Sequence, residues 1–366
     1  MKYITFVGSY TDALHPEGIH VLESDAETGD FRVVNVVNTY AQTTYMALNR
    51  AGTRLYSVLD RACPGPAGRT GGLVSFAVNG ANLTPLNEIG TGWTAPCHVA
   101  LSPDERTLVY AEYSCGTAGY AELTPDGAID PAFSGLPGVV NPRFQVRHVG
   151  DGPNKPRQDA AHAHCSIVTP DGKYLLVVDL TLDEVKAYDF AHREHGLKEV
   201  PSASIRTQPR GAGPRHIVFH PSGKYAFVVF ELENRVASYR YTGEGFEHLD
   251  TQELLDPAFT DFSKAAAVKV SEDGSQVFCS NRGHDSITVF NFDAQTGRLH
   301  RLSNARLDGR FPRDFTFMPG GKFCLAGLKE SGRLASYAYD RETGRFTLAA
   351  KMEAIFRPLF ITFKTA

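Results

Sequence analysis

Short apolar runs separated by Gly and Pro turns organise this chain, and residues 212–239 show the pattern most clearly. Apolar residues at 217–219, 225–230 and 236–239 are β-branched or aromatic, which favours half-buried strands. His220–Gly223, with the sequence HPSG, separates the first two runs and supplies the residues of a tight turn. The segment therefore predicts three consecutive antiparallel strands.

The same unit recurs along the chain. Turns that follow a first strand are found at 47–52, 100–105, 169–172, 220–223, 271–274 and 318–321. A second marker, nearly one sequence with a Thr-Gly turn, is found at 25–31, 293–299 and 340–346. A period of about 50 residues is typical of β-propellers with four strands per blade. Each Thr-Gly turn is predicted to join a third strand to a fourth.

The two ends of the chain supply a further blade. Residues 358–363 resemble a first strand, and residues 2–8 resemble a second strand. Pairing them closes the ring and removes exposed sheet edges. The pattern predicts an all-β, seven-bladed propeller, with four antiparallel strands per blade and a single domain spanning 1–366.

Composition narrows the class of partner and compartment. A formal net charge of −4 gives no reason to expect nucleic acid or an anionic membrane as partner. Residues 1–10 resemble neither a signal peptide nor a membrane-spanning helix. Six scattered cysteines without a CxxC pair predict reduced thiols and a cytoplasmic protein. No metal-ligand spacing is present, so neither a metal nor another cofactor is expected.

Propeller geometry predicts where a ligand binds. Loops from fourth to first strands and from second to third strands open on one face, which we call the ligand face, over the central channel. The polar residues of these loops are Tyr10, Cys97, His98, His162, His164, Asp179, Arg215, His216, Glu231, Asn281, Arg282, His284, Asp285, Arg313 and Asp314. Insertions at 61–72 and 130–161 belong to the same loops and are predicted to cover this face.

Each candidate also has a purely structural interpretation. His162 and His164 are expected to point to opposite sides, so that one faces the channel and the other packs. Arg215 and Glu231 could form a salt bridge at the rim. Glu231, beside apolar neighbours, could instead have a raised pKa and act as acid or base.

Three other ligand-face residues leave similar choices. Asp179 and Asp183 could tie loops together, which is the favoured interpretation of Asp183. Gly283 permits a tight turn that brings Arg282 close to a ligand, and this functional interpretation is favoured. Neither a Cys–His pair nor a nucleophile-elbow serine motif is evident.

Three motifs resemble the bacterial lactonase family of seven-bladed propellers. They are HAH at 162–164 with PDGKYLLVVDL at 170–180, GPRHIVFHPSGKYAFVVFEL at 213–232, and SNRGHDSI at 280–287. The similarity runs from GSYT at residue 8 to PLFITF at 358–363. The family includes a bacterial 6-phosphogluconolactonase and the fungal 3-carboxy-cis,cis-muconate lactonizing enzyme. Departures from relatives fall at 59–60, 115–118 and 328–329, all on the ligand face.

The resemblance implies an activity and a set of site residues. It implies hydrolysis of a sugar lactone, 6-phosphogluconolactone, in the pentose phosphate pathway of carbohydrate metabolism, without a metal. The implied catalytic residues are His164 (or His162), Arg215, Glu231 and Arg282. The predicted substrate-binding residues are His162, His216, Asp179, Asn281, His284 and Arg313.

Alternatives remain open at this point. A muconate-type cycloisomerase could use the same groups on a carboxylate substrate. A propeller that only binds other proteins would have a channel mouth plugged by apolar side chains. A calcium-dependent lactonase would need a ring of Glu, Asn and Asp, which the sequence does not show.

Overall fold

The computed structural model describes residues 1–62, 69–136, 139–353 and 355–364, which fold almost entirely into β-strands. Strands of the first third are β1 (Lys2–Ser9), β2 (Ile19–Asp25), β3 (Phe31–Val37), β4 (Met46–Leu48), β5 (Arg54–Ala62), β6 (Arg69–Asn79), β7 (Asn82–Gly90), β8 (His98–Leu101), β9 (Thr107–Glu112) and β10 (Thr117–Glu122). Then follow β11 (Ser134–Leu136), β12 (Val139–Val140), β13 (Gln145–Arg147), β14 (Ala163–Val168), β15 (Tyr174–Asp179), β16 (Glu184–Asp189), β17 (Ile205–Arg206), β18 (Pro214–Phe219), β19 (Tyr225–Phe230), β20 (Arg235–Tyr241) and β21 (Phe246–Glu253). The last are β22 (Lys264–Val270), β23 (Gln276–Arg282), β24 (Ser286–Asp293), β25 (Arg298–Arg306), β26 (Pro312–Phe317), β27 (Phe323–Leu328), β28 (Arg333–Asp340), β29 (Arg345–Met352) and β30 (Pro358–Lys364).

Helical structure in the described residues is limited to single 3₁₀ turns. These are Tyr113–Cys115, Pro131–Phe133, Pro142–Phe144, Arg193–His195, Pro201–Ala203 and Lys329–Ser331. None is long and apolar enough to cross a membrane.

Seven sheets form the blades of a propeller, as predicted. Blade 1 has the order β3-β2-β1-β30, and blades 2 and 3 are built on β4–β7 and on β8, β9, β10 and β13. Blades 4 to 7 follow in chain order as β14–β17, β18–β21, β22–β25 and β26–β29. The first strands contact one another in a closed circle, β4, β8, β14, β18, β22, β26 and β30, and so surround the channel.

Ring closure involves both ends of the described chain. β1 pairs antiparallel with β30, and Val7 lies opposite Ile361. β1 also pairs with β2 on its other side. The predicted shared blade is therefore confirmed, and it leaves neither edge of β1 exposed.

The Thr-Gly turns join third to fourth strands in blades 1, 6 and 7, as predicted. The carboxylates of Asp25, Asp293 and Asp340 each accept a backbone N–H two residues on. The following glycines adopt φ between +69° and +79°. Such local acceptor bonds and a left-handed glycine explain why one sequence serves three blades.

The two insertions contribute to the blades in different ways. Strands β5 and β6 extend into the 61–72 insertion from both sides, and residues 63–68, including Cys63, lie outside the described part. The 130–161 insertion contains β13, which is the fourth strand of blade 3. It also contributes β11 and β12, which extend the blade 2 sheet. This insertion is thus partly blade and only partly loop.

The core lies between neighbouring blades. Tyr56, Tyr110, Phe227, Phe278 and Phe315 are almost completely buried there. Each such side chain contributes about 1.5–3 kcal/mol of burial free energy. Tightly packed sheets hold the loop ends of the ligand face in fixed positions.

Candidate functional site

A buried carboxylate on the ligand face, Glu231, has several cationic partners. Glu231 directly follows β19, and its side chain is only 2% exposed. Its backbone N–H donates to the Gly213 carbonyl at 2.7 Å, which fixes the turn against β18. The carboxylate therefore projects from a rigid point between blades.

Three guanidinium groups contact this carboxylate. Arg157 Nη2 lies 2.6 Å from Oε1 of Glu231. Arg215 Nε and Arg282 Nη2 lie 3.2 Å and 2.7 Å from Oε2. Arg215 comes from β18, Arg282 from the end of β23 and Arg157 from the 130–161 insertion. The predicted Arg215–Glu231 salt bridge is confirmed, but it is buried rather than at the rim.

Backbone carbonyls of β22 orient two of these arginines. Arg215 Nη1 donates to the Ala266 carbonyl at 2.7 Å. Arg282 Nη2 donates to the Ala265 carbonyl at 2.6 Å. Because both guanidiniums are held by the same strand, their planes are fixed before any ligand arrives.

The predicted raised pKa of Glu231 was wrong. Burial by itself raises the pKa of this carboxyl, but Arg282, Arg215, His164 and Arg157 together hold it well below 4.5. Glu231 is thus ionised at neutral pH and is a weak proton acceptor. Its geometry suits the alignment of cations rather than the removal of protons.

Two more cations extend the cluster. Burial and then the charges of Arg282 and Arg313 lower the pKa of Arg215 to about 9, which shows that Arg313 lies close by. Burial and the charge of Arg157 lower the pKa of Lys264. With the three arginines that contact Glu231, these two cations make a group of five positive charges around one negative charge, a formal excess of four.

Arg313 differs from the other arginines of this cluster. Within the described part of the chain it forms no hydrogen bond or ion pair. It directly follows Pro312 at the start of β26 and is partly exposed. Arg313 is therefore the guanidinium that is free to meet an anionic ligand.

His164 lies beside the cluster in a neutral form. Burial, followed by the charge of Arg215, holds its pKa well below 6.5. Its side chain is buried, and Nδ1 has no hydrogen-bond partner. A neutral imidazole with an open nitrogen can accept a proton.

His162 and His164 share a contact, against our expectation of opposite sides. The His162 ring stacks on Tyr113 with centroids 4.0 Å apart, and the His164 ring meets Tyr113 edge-on at 5.6 Å. Both rings therefore face Tyr113, and the expectation was wrong. Strand β14 has a register shift between Ala163 and Cys165, so regular alternation of side chains does not hold at His164. His162 also donates from Nδ1 to the Tyr113 carbonyl at 2.9 Å when that nitrogen carries the proton.

A histidine group continues into the channel. His216 lies 5.2 Å from His164 and 5.5 Å from His98, measured between ring centroids. The Tyr45 ring packs against His98 at an angle of 38°, with centroids 4.3 Å apart. Burial lowers the pKa values of His98 and His216, so the channel wall is polar but uncharged there.

Both carboxylate oxygens of Asp179 have hydrogen-bond partners within the protein. Its Oδ2 lies 2.6 Å from His148 Nδ1, and its Oδ1 accepts the backbone N–H groups of His162, Thr181 and Leu182. The carboxylate thus ties the 130–161 insertion to blade 4. Asp183 does the same for another loop, as predicted, by accepting from the backbone of Gly211 and Gly213.

Asn281 and His284 form a local network in blade 6. Asn281 Nδ2 donates to Ser286 Oγ at 3.0 Å and to Thr288 Oγ1 at 2.9 Å. His284 Nδ1 lies 2.7 Å from the same Ser286 oxygen. These bonds hold the hairpin that carries Arg282, while the role of both residues in substrate binding stays a prediction.

Sequence reasoning missed two members of the site, Arg157 and Tyr113. Arg157 lies in the 130–161 insertion, which was predicted only to cover this face, and Tyr113 follows the second strand of blade 3. Their common signal is position on the ligand face. No three His, Cys, Asp or Glu side chains converge as metal ligands in residues 1–62, 69–136, 139–353 and 355–364.

Comparison with known proteins places this arrangement in a family. The family described as "Lactonase, 7-bladed beta-propeller" matches residues 4–363. A 6-phosphogluconolactonase of Bacillus subtilis is 33% identical over 99% of this chain and 98% of its own length. A 6-phosphogluconolactonase of Formosa agariphila is 27% identical over 93% of each chain.

A solved structure agrees over the full length. The periplasmic gluconolactonase of Pseudomonas aeruginosa superposes with a TM-score of 0.89 and 27% identity, covering 100% of this chain and 99% of that one. The blade order, the ring closure and the full-length matches all agree. The chain belongs to the lactonase family of seven-bladed β-propellers.

Proposed function

We propose that this protein hydrolyses a phosphorylated sugar lactone, 6-phosphogluconolactone, to 6-phosphogluconate. The observation that carries the proposal is the excess of four positive charges around Glu231. Such an excess favours a ligand with more than one negative charge, and a phosphate monoester carries nearly two at neutral pH. Relatives named 6-phosphogluconolactonase support the same substrate.

Arg313 is the proposed phosphate ligand. Arg157, Arg215 and Arg282 already form ion pairs with Glu231. Arg313 has no hydrogen-bond or ion-pair partner in the described chain. A guanidinium can hold two phosphate oxygens at once. Arg215 and Arg282 would then stabilise the negative charge that develops on the lactone carbonyl oxygen.

His164 is the proposed proton acceptor. Water attacks the lactone carbonyl carbon, and its proton passes to the open Nδ1 of His164. The ring C–O bond then breaks, and the imidazolium returns the proton to the leaving oxygen. A bound phosphate brings negative charge that raises the pKa of His164 towards neutral pH, which makes it a better base.

The reaction is proposed to need no metal or organic cofactor and to take place in the cytoplasm as part of carbohydrate metabolism. Charge stabilisation by arginine replaces a Lewis acid in this scheme. We also propose that the whole chain, 1–366, acts as one domain. Because no metal is proposed, the protein should keep full activity after treatment with a chelator. Loss of activity that is reversed by adding a divalent cation would contradict this.

Turnover of three substrates tests the proposal. Freshly prepared 6-phosphogluconolactone, gluconolactone and 3-carboxymuconate are compared, with the uncatalysed rates subtracted. We expect the phosphorylated lactone to have the highest kcat/KM. Cyclisation of 3-carboxymuconate alone would identify a cycloisomerase, and activity on none of the three would favour a binding protein.

Two variants locate the site. Arg313→Gln should raise KM for the phosphorylated lactone by about 10–100-fold, the value of one charge-assisted contact, and change KM for gluconolactone little. Exposed Arg310 offers a matched control, since Arg310→Gln removes a nearby charge outside the cluster. His164→Gln should lower kcat by about 10²–10⁴-fold. Equal effects of Arg313→Gln on both lactones would contradict the phosphate assignment.

A further inference from the structure

Phe311 has an unusual backbone conformation at the edge of the arginine cluster. It directly precedes β26 and has φ of +67°, a region that bulky residues avoid. Two other blades share the turn: Gly213 precedes β18 with φ of +66°, and Arg357 precedes β30 with φ of +45°. In these three blades the first strand begins with proline, and the residue before it is left-handed. Glycine adopts this conformation without strain, and phenylalanine does not.

Neighbouring bonds hold Phe311 in this conformation from both sides. Its N–H donates to Asp285 Oδ1 at 2.7 Å, and its carbonyl accepts the Lys329 N–H at 3.1 Å. The same Asp285 oxygen accepts from Gly283, in the turn that follows Arg282. Strain of this kind persists only where the surroundings enforce it, and it often marks functional sites.

The ring of Phe311 lies against the cluster. Its centroid is 5.5 Å from Cζ of Arg282 and 5.3 Å from Nζ of Lys329. Arg282 is the guanidinium that contacts Glu231 at 2.7 Å. Cations within about 6 Å of an aromatic ring are attracted to its face. In the described chain, Phe311 is the only aromatic residue with a positive φ.

We propose that Phe311 is a positioning residue, retained in a strained conformation because its ring sets the orientation of Arg282 toward Glu231 and the substrate. Its ring contacts Arg282 and Lys329, and it acts on the substrate only through these two side chains. The catalytic part of this inference rests on the proposed lactonase function. The structural part, the coupling of Phe311 to Arg282, does not.

The first test separates strain from ring contact by melting temperature. Phe311→Ala removes the ring and keeps the strain, whereas Phe311→Gly removes both. At an ordinary position glycine is less stable than alanine, but here we expect the glycine variant to melt about 1–3 °C higher. A lower melting temperature for glycine would overturn the strain assignment.

The second test follows activity. Both variants should lose about 2–30-fold in kcat/KM, the value of one cation–ring contact. Phe311→Tyr, which keeps the ring, should restore kcat/KM, and Phe311→Leu, which keeps only bulk, should not. Full activity of Phe311→Leu would overturn the proposal. Arg357→Gly is the matched control, since it changes the equivalent turn of blade 1 and should leave kcat/KM unchanged.

The third test is a double-mutant cycle with Arg282→Gln. Phe311→Ala should change kcat/KM and melting temperature less in the Arg282→Gln background than in the wild type. Additive losses would overturn the proposal. If Arg282→Gln does not fold, Arg282→Lys, which keeps the charge but not the planar group, replaces it. Wild-type protein without lactonase activity would refute the proposed function, while the cycle on melting temperature would still decide the role of Phe311.

Discussion

Replacing Glu231 with glutamine is the most informative single change in this molecule. The substitution keeps size and removes the charge that faces three guanidiniums. Arg215 and Arg282 are 2% and 6% exposed, so water cannot replace the lost carboxylate. Arg157 is 35% exposed and is compensated more easily.

The magnitude follows from these burials. Removing one partner of a buried ion pair costs about 3–5 kcal/mol, because it leaves a buried charge without compensation. The entropy of unfolding is about 2.1 cal/mol/K per residue, which gives about 0.8 kcal/mol/K for a chain of this length. Glu231→Gln should therefore lower the melting temperature by about 4–6 °C.

Thermal denaturation with a surface control measures this effect. Glu122 pairs with Arg193 at 2.8 Å, but both side chains are about one quarter exposed. Glu122→Gln should cost about 0–1 kcal/mol, since water reaches both of these groups and compensates for the lost charge. Millimolar inorganic phosphate should stabilise Glu231→Gln more than the wild type, because an anion can occupy the place of the carboxylate.

The pH dependence gives an independent check. The folded-state pKa of Glu231 lies below its unfolded value of 4.5, so its contribution is fully present above about pH 4.5 and is lost as the pH falls further. Equal melting temperatures of Glu231→Gln and Glu122→Gln at pH 7 would refute the reasoning. They would show that the arginines do not depend on this carboxylate.

Three further changes test buried groups around the site. Burial raises the pKa of Glu112 to about 7, so its ionised form is disfavoured in the folded state. Glu112→Gln should therefore raise the melting temperature more at pH 8 than at pH 5, and equal increases at both pH values would contradict the raised pKa. Burial, with the charges of Lys269 and Arg215, lowers the pKa of His98 to about 3. The folded state therefore loses stability as the pH falls from 6.5 towards 3, and His98→Gln should reduce this loss in a plot of stability against pH. His148→Ala should lower the melting temperature and raise KM together, because His148 anchors the insertion that carries Arg157; an unchanged KM would show that the anchor does not position Arg157.

Local patterns predicted most of the fold. The Thr-Gly turns identified third and fourth strands because their bonds form within a few residues. Ring closure was predicted from the resemblance of 2–8 and 358–363 to strands of other blades. Both kinds of signal are present in short stretches of sequence, so no knowledge of distant contacts was needed.

The electrostatic state of the site was not predictable in the same way. Apolar neighbours of Glu231 suggested a raised pKa, since burial alone has that effect. The opposite shift arises from Arg157, 74 residues earlier, and Arg282, 51 residues later. The sequence does not show that either arginine contacts Glu231. A pKa depends on the sum of all neighbours in space, and sequence shows only those along the chain.

The pairing of β1 with β30 also sets a condition on biosynthesis. β1 is made before its partner β30, which follows about 350 residues later. At about 5–20 residues per second, the ribosome needs about 20–70 s to supply that partner. During this time β1 presents an open edge that can recruit strands from other chains. The nascent protein is therefore most vulnerable to aggregation just before β30 leaves the ribosome, and chaperone cover at that moment should decide the yield of folded protein.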